Sequence, residues 1–177
     1  MTTKTTDPIA LVPRRSAVDD YLLDAPPEVL SQFERIGGLW KEREVAGRDH
    51  QRTARRLANE FERRGYDAEE GLRVILPNRE PVAPDVLIVS AANPDRPGSA
   101  SYFGAPDLVV EVLAVDNDEG EDLVKKAMYA ANGVRYYWLV RLKGPVVERW
   151  ELTVGTYRFL GSSPLEPMDQ LPLPSDL

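Results

Sequence analysis

The seven residues from Asp107 to Leu113 read Asp-Leu-Val-Val-Glu-Val-Leu, an apolar run interrupted once, by Glu111. A strand with one solvated face alternates polar and apolar residues. This run does not, so it belongs inside a sheet covered on both faces. Five further runs rich in β-branched and aromatic residues read as strands: 73–76, 84–89, 135–140, 146–152 and 156–160. Two helical patterns accompany them. Over 49–64, Ala54, Leu57, Ala58 and Phe61 share one side, a stripe of Arg48, Arg52, Arg55, Arg56 and Arg63 the other, and Gly65 supplies the stop. Over 119–132, Leu123, Val124, Ala127, Met128 and Ala131 form the expected apolar face, with Gly133 as the left-handed cap. This order of elements predicts an α/β fold: a mixed sheet flanked by helices.

A length of 177 residues suits one domain, and 42% hydrophobic with 29% charged residues confines disorder to the ends. The expected division is a flexible N-terminal tail over 1–18, a folded domain over 19–162 and a Pro-rich C-terminal tail over 163–177. The absence of cysteine excludes disulfides, thiolate catalysis and cysteine-bound zinc. The start has no basic-then-apolar signal pattern, and no stretch approaches the ~18 apolar residues of a membrane span. A cytoplasmic chain with no membrane partner is expected. A net charge of −7 argues against a dedicated high-affinity nucleic-acid binder, although local charge matters more than the sum. Glycine-rich phosphate loops and a Gly-x-Ser-x-Gly elbow are both missing.

An unpaired carboxylate at Glu111 would be costly inside such a sheet, or would stay protonated, unless a cation or a lysine met it. A locally wet position or a structural ion pair is the plainer alternative. Period-two alternation puts Asp107, Val109, Glu111 and Leu113 on one side. Asp85 opens the run 84–89. If the two strands pair, both carboxylates can converge on one hard ion, Mg2+ or Mn2+. Asp107, in a second Pro-Asp pair, contends for the same role, and chain order does not decide between them. Glu121, Lys125 and Tyr129 form a polar strip at i, i+4, i+8 beside the apolar face of the second helix. A lysine there could meet a phosphate or position a water; the same spacing also suits an exposed Glu–Lys pair. His50, the only histidine, lies on the inner side of the first helix as a proton carrier or a boundary residue. Arg52, Arg55 and Arg56 suit nucleic-acid phosphates or simply solvent. The acidic stretch 116–122 lacks the spacing of an EF-hand loop and reads as a solvated helix start.

Taken in order, PDVLIV at 84–89, PDLVVEVL at 106–113 and KKAMYAANGVRYYWLV at 125–140 resemble the Uma2 family of endonucleases, within the PD-(D/E)XK superfamily. QFERIGG at 32–38, followed by His50 at the head of a helix, matches the family's amino-terminal pattern more loosely. The resemblance implies a restriction-endonuclease-like core with metal-binding acids on two adjacent strands, Asp85 matching the first and Glu111 the second. Where the superfamily usually carries a lysine two residues beyond the second acid, this chain has Leu113. The Uma2 pattern moves that lysine to the following helix, at Lys125, with Lys126 as the competing register. Glu34 matches an additional family acid that completes the metal shell. Ala114-Val115 replaces the usual Ser-Pro, Glu121 replaces an Asp, and the block around Gly37-Gly38 is altered; these departures bear on the substrate entrance. The implied activity is Mg2+- or Mn2+-dependent hydrolysis of nucleic-acid phosphodiesters, DNA first among them, and a symmetric homodimer would let two sites address two strands. Two other classes stay open: a nucleic-acid- or protein-binding module that keeps the fold without cleavage, and a carboxylate-pair hydrolase acting on another substrate.

Overall fold

The computed structural model describes residues 25–30, 32–43, 46–93, 101–113, 119–174 and 177; the expected tail over 1–18 lies outside them. Its frame is a six-stranded sheet in the order β11-β10-β9-β8-β6-β3. These strands are β3 (Asp67–Glu70), β6 (Val86–Val89), β8 (Leu108–Leu113), β9 (Tyr136–Arg141), β10 (Val146–Thr153) and β11 (Thr156–Pro164). β8 lies between β6, to which it runs antiparallel, and β9, to which it runs parallel. A parallel neighbour requires a crossover, and α3 (Glu119–Ala131) lies within it.

Every residue of β8 is buried, as its composition demands. Leu108, Val110 and Val112 pack with Ala54, Leu57 and Phe61 of α2 (Arg48–Arg63). Val109 and Leu113 pack with Met128 and Tyr129 of α3. The two helices therefore cover opposite faces. On the α3 side the core also takes in a small sheet of β4 (Val74–Ile75), β5 (Pro81–Val82) and β7 (Tyr102–Phe103). The β6–β8 register pairs Val86 with Val110, Leu87 with Val109 and Ile88 with Leu108. Continued one step outward, it sets Asp85 opposite Glu111.

The sequence signals missed a hairpin. After α1 (Pro27–Leu30), β1 (Phe33–Ile36) and β2 (Leu39–Glu42) are joined through Gly37 and Gly38, at φ 58° and 82°. A two-residue turn with both central residues in the left-handed region is open to glycine at little cost.

Two expectations are corrected. Leu123, Val124, Ala127 and Ala131 are exposed, and the buried face of α3 carries Lys125, Met128, Tyr129 and Ala130. The helix is rotated because Lys125 and Tyr129 find buried carboxylate partners, which outweighs the gain from covering two aliphatic side chains. Of the expected C-terminal tail, residues 163–171 are part of the folded layer. β11 runs on to Pro164, and Leu165, Met168 and Leu171 are buried in the α2 cluster. Arg64 fixes this segment by donating to the Met168 and Leu171 carbonyls at 2.6 and 2.8 Å. Among the described residues, no helix is long and apolar enough to cross a membrane.

Candidate active site

Four elements bring ionisable groups together at the ends of β6 and β8. Asp85 precedes β6, Glu111 lies within β8, Lys125 and Tyr129 come from α3, and Glu34 comes from β1. Lys125 Nζ lies 3.1 Å from Glu34 Oε1 and 3.5 Å from Glu111 Oε2. Tyr129 donates its hydroxyl to the other Glu111 oxygen, Oε1, at 2.7 Å. Glu34 Oε2 accepts from the Ala83 amide at 3.4 Å. Asp85 uses a single oxygen, Oδ2, to accept from the Val112 amide at 2.7 Å and to meet His50 Nε2 at 3.0 Å. His50 reaches it from the first turn of α2.

Burial sets the electrostatics. Glu34, Glu111 and Lys125 are all buried. Desolvation raises the Glu111 pKa, Lys125 opposes this, and the nearby Asp85 and Glu34 carboxylates add to it, so the carboxyl is pushed up to about 8. Burial also disfavours the Lys125 charge, but Glu111, Glu34 and Asp85 outweigh it and hold the ammonium above its ordinary value. At His50 burial again lowers the pKa, while the bond and charge of Asp85 and the charge of Glu111 raise it further, for a net upward shift. Tyr129 is held neutral by burial and by Glu111, so it remains a donor.

These shifts set a pH dependence. Glu111 has a folded pKa above its unfolded value of 4.5, so its contribution to stability is complete below pH 4.5 and is lost as pH rises through about 8. The His50 contribution is complete below 6.5 and is lost as pH rises through its raised folded value, so it acts in the same sense. The urea midpoint of metal-free protein should therefore fall between about pH 5 and about pH 8.5, and Glu111→Gln should remove most of that slope. An unchanged slope in the variant would contradict a buried, proton-binding Glu111.

The other candidates lie elsewhere. Lys126, the competing register, stacks on Trp150 with Nζ 3.6 Å from the ring centroid. Asp107 accepts from the Ser90 amide at 2.8 Å and from Asn93 Nδ2 at 3.0 Å, which makes it a loop anchor. The Glu121 side chain lies outside the described residues. Arg52, Arg55 and Arg56 occupy the exposed face of α2. Arg55 pairs with Glu70 at 3.3 Å and Arg56 with Glu166 at 2.6 Å.

The donor set suits a hard divalent ion. Among the described residues no group of three or more His, Cys, Asp or Glu side chains stands ready around one point. Mg2+, however, takes only one or two protein carboxylates and fills its remaining positions with water and phosphate oxygens. Asp85 and Glu111, opposite each other on neighbouring strands, match that requirement in number and donor type. The raised Glu111 pKa marks a carboxyl that Lys125 alone does not compensate.

A putative nuclease from Anabaena variabilis ATCC 29413 has a solved structure that matches this one with a TM-score of 0.66. The two are 18% identical, with 88% of each chain covered, so the likeness establishes a shared fold. No curated protein matches the chain significantly. A family model described as Uma2, putative restriction endonuclease, matches residues 18–177. With nine-tenths of its length under that model, the chain belongs to the Uma2 family.

Proposed function

We propose that this protein is a metal-dependent endonuclease that hydrolyses phosphodiester bonds of nucleic acid, with DNA as the favoured substrate. The observation that carries the reading is the pair Asp85 and Glu111, opposed across adjacent strands with the Lys125 ammonium 3.5 Å from Glu111. Asp85 and Glu111, with Glu34 beside them, would hold Mg2+ or Mn2+. When bound, the ion supplies charge against a phosphate oxygen and lowers the pKa of a water.

The chain's own groups do the rest. Tyr129 holds one Glu111 oxygen and so fixes the orientation of the other. His50 and the Val112 amide hold Asp85 Oδ2, which leaves Oδ1 for a different partner. Lys125, kept charged by three carboxylates, donates to the phosphate oxygen on which charge develops. Because Glu111 must lose a proton to act as a ligand, metal affinity should rise with pH up to about 8. Titration calorimetry with Mn2+ in buffers of different ionisation enthalpy would register the released proton.

The direct test is nicking of supercoiled plasmid and cutting of single-stranded DNA with Mg2+ or Mn2+. Failure to cut either, together with failure to bind Mn2+, would end the proposal. One observation favours a second reading, a non-cleaving nucleic-acid module. Lys125 already bridges Glu34 and Glu111, an arrangement that an inert fold could retain. Binding without cleavage would support it. In either case the exposed Arg52 should contribute to phosphate contact. Arg52→Glu is expected to weaken DNA binding and to lower the slope of log K against log salt by about 1. An unchanged slope would leave α2 as a solvated face.

A further inference from the structure

Beside the acid cluster, on the same face of the sheet, is a half-enclosed cavity of about 130 Å³ under the first half of α3. Its floor is aromatic. Tyr137 of β9 and Trp150 of β10 lie with ring centroids 5.6 Å apart, backed by Tyr157 and Phe159. Leu139 and the largely exposed Leu123 add aliphatic walls. The rim mixes charges: Lys126 over Trp150, Asp122, and the Arg141–Glu148 pair at 2.7 Å. The Tyr137 hydroxyl is fully buried and has no hydrogen-bond partner among the described residues.

The cavity is next to the chemistry. Leu139 is the ladder partner of Glu111, so wall and acid are one strand spacing apart, about 4.8 Å. Lys126 follows Lys125 on the helix. Most small-molecule sites are larger, about 300–1,000 Å³, so this one has room for a single ring system and little else. Flat aromatic faces would stack on such a group, and a rim carrying both donors and acceptors would read a polar edge. A bare anion would meet Asp122 and Glu148. A purely apolar ligand would desolvate the rim without pairing it.

We propose that this cavity is a nucleobase subsite, receiving one unstacked base of the bound strand and thereby setting which phosphate is presented to Lys125 and Glu111. It rests on the endonuclease reading for the identity of its ligand. The base stacks on Trp150 and Tyr137. Lys126, on its flexible stem, leaves the ring and meets the adjoining phosphate.

The test uses the full chain and two single-stranded oligonucleotide series, one intact and one carrying a single abasic position moved along the strand. Affinity is read by fluorescence anisotropy, separately from cleavage. Trp150→Leu is expected to weaken intact DNA about tenfold, the loss of one base–aromatic stack. It should have far less effect when the abasic position falls in the cavity. Leu123→Ser changes only a largely exposed wall residue and adds no charge, so it tests the same point without disturbing the core, and it should discriminate between the two series in the same sense with a smaller loss. Equal losses on intact and abasic strands, or no loss with either variant, would overturn the subsite. Plasmid cleavage with no abasic discrimination would reject the subsite and leave the nuclease standing. If oligonucleotides neither bind nor are cut, but free nucleosides quench tryptophan fluorescence in wild type and not in Trp150→Leu, the cavity is upheld as a base site and the nuclease reading fails.

Discussion

Glu111→Gln is expected to reduce Mn2+-supported plasmid nicking by about 10²–10³-fold, the usual loss when one preorganised electrostatic contact to the reacting centre is removed. The fold should survive. Burial holds the Glu111 carboxyl well above its ordinary pKa in the metal-free protein, so a neutral amide of the same shape is a close substitute there. The Tyr129 hydroxyl can still donate to the amide oxygen. At higher pH the variant should become more stable than wild type, because it no longer carries a carboxylate that must ionise inside the sheet. Loss of activity and gain in alkaline stability therefore belong to one side chain. Cleavage that persists in the variant would point to a contaminant or to a different site.

Lys125→Met is expected to have the largest effect on stability. The ammonium lies 3.1 and 3.5 Å from the buried carboxyl groups of Glu34 and Glu111, and removing one partner of a buried ion pair costs about 3–5 kcal/mol. For a domain of this size that corresponds to a fall in Tm of about 6–20 °C. Lys126→Met is the internal control. It loses a cation–π contact at a partly exposed position, worth about 0.5–1 kcal/mol. Adding Glu34→Gln to Lys125→Met should recover part of the loss, since it removes one of the charges left without a partner. Equal melting temperatures for the two lysine variants would mean that the buried cluster carries no net energetic weight.

Much of this architecture could be read from residue order. β8 was legible because its apolar run has no solvated face, and α2 because Leu57 and Phe61 stand opposite its arginines. Glu111 stood out as a carboxyl group inside an apolar strand, whereas Asp85 was preferred to Asp107, in the other Pro-Asp pair, only through resemblance. The contribution of Glu34 was visible only through resemblance, since β1 is short and carries Arg35 as well as Glu34. A local signal did exist: Gly37-Gly38 between Phe-Glu-Arg-Ile and Leu-Trp-Lys-Glu is a hairpin pattern. The α3 face was misread for a different reason. Ranking side chains by hydrophobicity turns Leu123 inward and Lys125 outward, and it takes no account of carboxylates on another element that make the lysine the better-buried residue. The C-terminal segment was obscured by its prolines, although Leu165, Met168 and Leu171 recur every third position.

The antiparallel pairing of β6 with β8 has a consequence for how this protein can vary. Side chains alternate sides along each strand, so deleting or inserting one residue between Asp85 and Val89 would rotate the acid away from Glu111 and present an aliphatic group in its place. Lineages of this fold should therefore keep the length of the run from Asp85 to Val89 fixed.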